Sequence, residues 1–292
     1  MLKYLARPDL VPDGFTANAI RYPLSALIYL PWFIVGIRTR QMRGLWLMAL
    51  IPSGANLIMQ TLWAWAPYYL DAGLLAFLLR LCVVWTILGA LLLFKDERRL
   101  ASSPAFVAGA GLAVSGFVVM SWGALQAGSG ASVTGIAIIF GCGIFWGVYS
   151  IAVRAVMGRL HPLVVFSVVS AYTSVGLLAT APLGEPAAVL QLPPGAMAIL
   201  GLSSLVGIAL AHGLYYIAVQ RIGVAICSLM LIAAPFVSIL TSWWAFGETF
   251  TSKQWLGGLV LLAGAALAVN TQKHIRPAVP PDAADVVVDP SR

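Results

Sequence analysis

From Gly223 to Glu248 the chain reads GVAICSLMLIAAPFVSILTSWWAFGE, an apolar run of about 22 residues with Pro235 in its middle and Gly-Glu at its end. A run of that length crosses roughly 30 Å of hydrocarbon as one helix. The pattern recurs 151 positions earlier, from Ala72 to Glu97, as AGLLAFLLRLCVVWTILGALLLFKDE. Each copy follows a helix ending in aromatics (Trp63, Trp65 and Tyr68; then Tyr215 and Tyr216). Each precedes a Gly-rich apolar helix (Gly109, Gly111, Gly116; then Gly257, Gly258, Gly264). A period near 150 residues marks a duplicated half, not a solenoid.

Hydrophobic residues make up 61% of the chain and charged ones 9%, where a soluble domain carries roughly 25% charged residues. The chain is therefore expected to be an all-α polytopic membrane protein. Nine spans are predicted: Ala17–Ile37, Leu45–Trp65, Ala72–Phe94, Ala105–Trp122, Val133–Met157, Leu163–Leu183, Ala196–Val219, Val224–Phe246 and Trp255–Asn270. The first contains Arg21, Pro23 and Pro31 and is the least regular. Residues 1–16 lack the apolar core of a signal peptide. The Pro- and Asp-rich residues 272–292 read as a disordered tail. The net charge of +7 is spread one to three basic residues at a time between apolar runs, which argues against a nucleic-acid partner. Cys82, Cys142 and Cys227 each lie inside an apolar run, so neither a disulfide framework nor a metal site is expected.

The loops fix an orientation. Arg38, Arg40 and Arg43 share one loop; Lys95, Arg98 and Arg99 lie two loops on; Arg154 with Arg159, Arg221, and Lys273 with Arg276 follow in alternation. The intervening loops hold Asp71, no charge, Glu185, and Glu248 with Lys253. Basic loops stay cytoplasmic, so the carboxyl terminus is expected inside and residue 1 outside. Glu97 then lies inside and Glu248 outside, which makes the two halves inverted.

Several segments carry a resemblance. Arg21, FWGVYSIAVR (Phe145 to Arg154), YYIAVQRIGVA (Tyr215 to Ala225), Pro235 and Gly247-Glu248 are similar to the drug/metabolite transporter superfamily, EamA type. The resemblance implies two inverted five-helix repeats: residues 17–122, with four helices and the first missing, and residues 133–271, with five. Nine spans are visible where the family pattern has ten. A start codon assigned too late, or a true nine-helix chain, would explain the difference. The resemblance further implies a multi-pass transporter of the cytoplasmic membrane that exports amino acids or related compounds by alternating access. A multidrug exporter, or a non-transporting membrane protein with an interaction role, remains an alternative.

Several residues within spans carry candidate chemistry. Arg80 lies eight residues into its span, about 12 Å along the axis. No mid-span carboxylate is available to pair with it. It is read either as a cavity cation for an anionic group or as a cap on the Leu231 carbonyl that Pro235 frees. Asn56 and Gln60 share a face one turn apart and either line a cavity or join helices. His212, followed by Tyr215 and Tyr216, is a proton-shuttle or hydrogen-bonding candidate. Trp146 and Tyr149 are candidates for stacking on a flat substrate, and Tyr216 for lining the same cavity. Arg21 is read as a residue that snorkels to water, Trp63 as an interfacial anchor, and Glu97 and Glu248 as markers of the repeat. Gly143-x-x-x-Gly147 has the spacing of a helix-dimer motif and makes a second copy of the chain a candidate partner. No ATP-binding loop or catalytic motif occurs, so neither an enzyme nor a cofactor is expected.

Overall fold

The computed structural model describes residues 2–6, 10–39, 42–70, 75, 78–80, 82–127, 132–158, 160–234, 236–237, 240, 244 and 251–275. Among them the regular structure is helical: α1 (Leu2–Leu5), α2 (Gly14–Ile28), α3 (Leu30–Arg38), α4 (Leu45–Met48), α5 (Leu50–Tyr69), α6 (Cys82–Leu93) and α7 (Lys95–Ala101) come first. Then follow α8 (Pro104–Ala127), α9 (Val133–Met157), α10 (Pro162–Thr180), α11 (Pro194–Ser204), α12 (Ala211–Ile222), α13 (Val224–Leu231) and α14 (Ser252–Ile275). The all-α polytopic reading holds. Five helical segments are long and apolar enough to cross a membrane, or seven if each of two bent pairs counts as one span. The remaining two expected spans, Ala72–Phe94 and Val224–Phe246, lie only partly within the described residues.

Each break has a local cause. Pro31 sits at the start of α3 and has no N–H to continue α2, so the two helices meet at 51° across Tyr29. The charged α7, KDERRLA, turns 78° from α8. Asp13 caps α2 through Thr16 N (2.8 Å) and Thr16 Oγ1 (2.6 Å), and also accepts from Glu185 N (3.0 Å). Around that cap Leu5, Leu10 and Val11 pack on Val189, Ala196 and Leu200. The segment before α2 is thus part of the packed structure. Between α11 and α12 the chain runs as a π-helix, Leu205–Leu210, a conformation that occurs mostly at functional sites.

The bundle buries a set of polar side chains within its apolar core and carries an apolar exterior. Leu27, Leu47, Ile51, Leu92 and Val175 are exposed, while Asn18, Ser25, Asn56, Gln60, Thr173 and Ser204 are buried. That distribution suits lipid as the solvent. Among the packed helix pairs are α2 with α10, α6 with α13, and α8 with α14, alongside α9, which packs on both α5 and α6. The pair α8 and α14 meets backbone to backbone, with Gly109 against Gly264 and Gly116 against Gly257. At the other end of the bundle, Glu97 on α7 is fully buried and its Oε1 accepts from Val224 N at 3.0 Å, capping the start of α13. It is more than a marker of the repeat.

Candidate functional site

The π-helix, α2, α5, α9 and α12 surround a cavity of about 180 Å³. Its wall is Arg21, Met59, Gln60, Trp63, Leu79, Cys142, Trp146, Gly207, Ile208, Ala211, His212, Tyr215 and Leu231. It opens where Gly207 and Ala211 are exposed. Most of this wall is apolar or aromatic, with a few convergent polar groups, the make-up of a small-molecule pocket.

Arg21 lies in the wall and is only 4% exposed. The expectation that it snorkels to water is therefore not met. Its Nε donates to Ser203 Oγ at 2.9 Å, and the Ser203 hydroxyl in turn donates to Leu200 O at 2.7 Å. Ser204 Oγ donates to the Arg21 carbonyl. The guanidinium is thereby held along one edge, while Nη1 has no hydrogen-bond partner among the described residues. A sequence signal was present: Gly14, Ala17, Asn18, Arg21 and Ser25 form one small and polar stripe, and it is the buried face of α2.

His212 is buried within a group of rings. Phe166 stacks on it at 5.8 Å between centroids and 16° between planes; Trp146, Tyr149 and Tyr22 approach at 5.9, 6.0 and 6.5 Å. The backbone of Ile208, one turn earlier, faces the ring, but neither ring nitrogen reaches full hydrogen-bond geometry with any partner. The Trp146 Nε1–H is likewise buried without an acceptor. Tyr215 faces Ser150 and Ser228 in the same loose manner. The Ala209 carbonyl, inside the π-helix, accepts from Tyr29 Oη at 2.8 Å.

Of the residues singled out from the sequence, Gln60, Trp146 and His212 line the cavity and Asn56, Tyr149, Tyr216 and Arg80 do not. Asn56 is fully buried and joins three helices: its Nδ2 donates to Tyr22 Oη (2.6 Å) and Thr173 Oγ1 (3.1 Å). Tyr149 Oη donates to Tyr216 Oη at 3.1 Å in a layer behind His212. Arg80 is half-buried at a turn just before α6, next to the cavity-lining Leu79, and its buried Nε has no partner among the described residues. Among the described residues no hydrogen bond joins it to the Leu231 carbonyl. The helix that holds Leu231 does end there, with Ile232 N bonded to Leu229 O and Ala233 N to Met230 O. Pro235 and Glu248 lie outside the described residues. Trp63, expected at the interface, faces the cavity instead, and the π-helix had no signature in the sequence.

Comparison with known proteins finds a likeness in sequence and in fold. Residues 133–270 match the model of the EamA-like transporter family. No curated protein matches the sequence. Twelve chains of solved structures match the fold. A crystal structure of one protein superposes with a TM-score of 0.68 at 19% identity, covering 94% of this chain and 91% of the other. Likeness at that identity concerns the fold. Residues 133–270 are thus similar to the EamA-like transporter family, membrane transporters of small molecules within the drug/metabolite transporter superfamily, and the likeness of fold extends over nearly the whole chain.

Proposed function

We propose that the chain is a secondary transporter that exports a small organic metabolite, an amino acid or a related compound, across the cytoplasmic membrane by alternating access. The observation that carries this reading is the cavity among the helices, with Arg21, Gln60, Trp146 and His212 in an otherwise apolar wall. A buried arginine is expensive in lipid, at least about 2.5–3.5 kcal/mol, and a site that faces a polar solute offsets that cost. The helix pairing supports two halves that move against each other: α2 with α10, α6 with α13 and α8 with α14 are the counterparts expected from the repeat. The breaks near Arg80 and Leu231 fall at corresponding positions of the two copies, and discontinuous helices at mid-membrane are where such transporters hold substrate.

Gly207 supplies the test. Its Cβ position has Arg21 Nη2 as its nearest neighbour, at 3.7 Å, so a side chain is accommodated there without backbone collision. Gly207→Leu fills the opening of the cavity. Proteoliposomes loaded with amino acids and related acids should show counterflow with the wild-type protein. The flux should fall to background with Gly207→Leu, whose gel-filtration profile stays monodisperse. Undiminished flux through Gly207→Leu would move the pathway away from this cavity.

A further inference from the structure

The balance of donors and acceptors in the cavity narrows the solute, on the premise that the cavity is the transport site. Arg21 is the one formal charge in the described wall. All ten Asp and Glu residues of the chain lie outside the central parts of the apolar runs, at helix ends, in loops or in the tail. Arg21 has a serine hydroxyl on Nε and, among the described residues, no carboxylate within ion-pair distance. Nη1 is unpartnered, and Nη2 lies beside Gly207, where the absence of a side chain leaves the approach open. Nη2 is thus the guanidinium atom at the approach and Nη1 a buried donor beside it that still lacks an acceptor; a carboxylate that seats deeply enough to reach both is held bidentately.

A second donor reinforces the same choice. Trp146 Nε1–H can only donate, and it has no acceptor among the described residues. His212 in either neutral tautomer, Gln60 and Tyr215 both donate and accept, so the bias toward an anion rests on Arg21 and Trp146. An ionised carboxylate accepts up to about four such bonds. An ammonium group needs three acceptors and benefits from a negative charge; the wall offers it no carboxylate and holds a cation. The remaining surface is apolar, with Met59, Trp63 and Leu231 across from the polar groups. A volume of about 180 Å³ is close to the roughly 150 Å³ that accommodates a single benzene ring.

We propose that the cavity binds a compact monocarboxylate with an apolar or aromatic body and no ammonium group, its carboxylate clamped by Arg21 and its body packed against Trp63 and Trp146. The deaminated relatives of amino acids fit this description better than the amino acids do.

Calorimetric titration of the purified full-length protein in detergent tests the proposal with three probes that share one body: 3-phenylpropanoate, phenylalanine and 3-phenylpropanamide. The carboxylate should bind at least about tenfold more tightly than the zwitterion or the amide, because only it satisfies both Nη donors without a stranded ammonium. Arg21→Lys keeps the charge and should weaken that binding about tenfold or more by losing the bidentate geometry. Should an Arg21 variant fail to fold, Gly207→Leu leaves the arginine intact and should abolish binding by closing the approach. The proposal is overturned by phenylalanine binding as tightly as 3-phenylpropanoate, by no heat from 3-phenylpropanoate up to about 10 mM, or by unchanged affinity in both Arg21→Lys and Gly207→Leu. Binding reports on the site and flux on transport, so the two readings fail separately. Gly207-sensitive flux of zwitterions without carboxylate selectivity removes the substrate class alone, and selective carboxylate binding without flux removes the transporter reading alone.

Discussion

Replacing Gly116 with alanine asks whether α8 and α14 are held by direct backbone contact. A Cβ on Gly116 lies 2.4 Å from Leu261 N and 2.5 Å from Gly257 O. Ordinary contacts sit near 3.5 Å or beyond, so the helices must part by about 1 Å. Both obstructing atoms are backbone, and no side-chain rotation relieves them. Parting the helices also loosens Gly109 against Gly264 O, since the same two backbones cross there. In lipid no hydrophobic effect restores the pair, because close van der Waals packing is itself what joins such helices. Overpacking of this kind costs about 1–3 kcal/mol. Gly111, on the same helix, has nothing within 4 Å of its Cβ position. Alanine there should add only helix propensity, up to about 1 kcal/mol. Both variants gain that propensity, so the difference between them isolates the packing cost of about 1–3 kcal/mol. Unfolding by sodium dodecyl sulfate in mixed micelles, followed by circular dichroism, should place Gly116→Ala below wild type or level with it and Gly111→Ala above both. Equal stability of the two variants refutes the backbone contact.

Glu97→Ala leaves the Val224 N–H buried without its acceptor and should cost about 1–3 kcal/mol in the same assay, whereas Glu97→Gln keeps an acceptor oxygen and should lose less; equal losses would mean that the cap contributes nothing. For orientation, a cysteine introduced at Glu185 should react with an impermeant maleimide added from outside the cell, and one at Arg38 should react only after permeabilisation; the reverse pattern inverts the topology. The native cysteines Cys82, Cys142 and Cys227 are buried and give little background.

The spans were legible because lipid imposes a length. Val133–Met157 comes out with the bounds read from the sequence, and the span expected at Leu163–Leu183 runs from Pro162 to Leu183. Nothing in hydropathy, however, distinguishes one continuous helix from two that meet at an angle. Pro31 announced a break, but its 51° bend depends on how Tyr29 packs against Phe166 and reaches Ala209 O. The π-helix at Leu205–Leu210 follows no proline and obeys no local propensity; its extra residue per turn is a product of packing. Likewise nothing in the sequence announced that Asp13, the cap of α2, also accepts from Glu185 N, a bond that joins residues 172 positions apart.

The two arginines show what kind of information the sequence withheld and what it did not. Depth favours Arg80, eight residues into its apolar run, and depth measures only the cost that an arginine would incur facing lipid. It does not say which way the residue faces. Facing is set by the stripe to which a residue belongs, and the two helices differ there. On α2 Asn18, one turn before Arg21, and Ser25, one turn after it, are both buried with it, while the apolar Leu24 and Leu27 are exposed. In a membrane helix the polar stripe is the inward one, the reverse of a soluble helix. Arg21 is therefore committed to the interior however near it lies to a helix end. The buried stripe of α6 runs through Cys82, Val83, Thr86 and Ala90, and Val84, one turn on from Arg80, is exposed. Arg80 belongs to neither a polar stripe nor the cavity wall. Azimuth, read from the company a charged residue keeps along its own helix, outranks depth as a guide to which charge faces the interior.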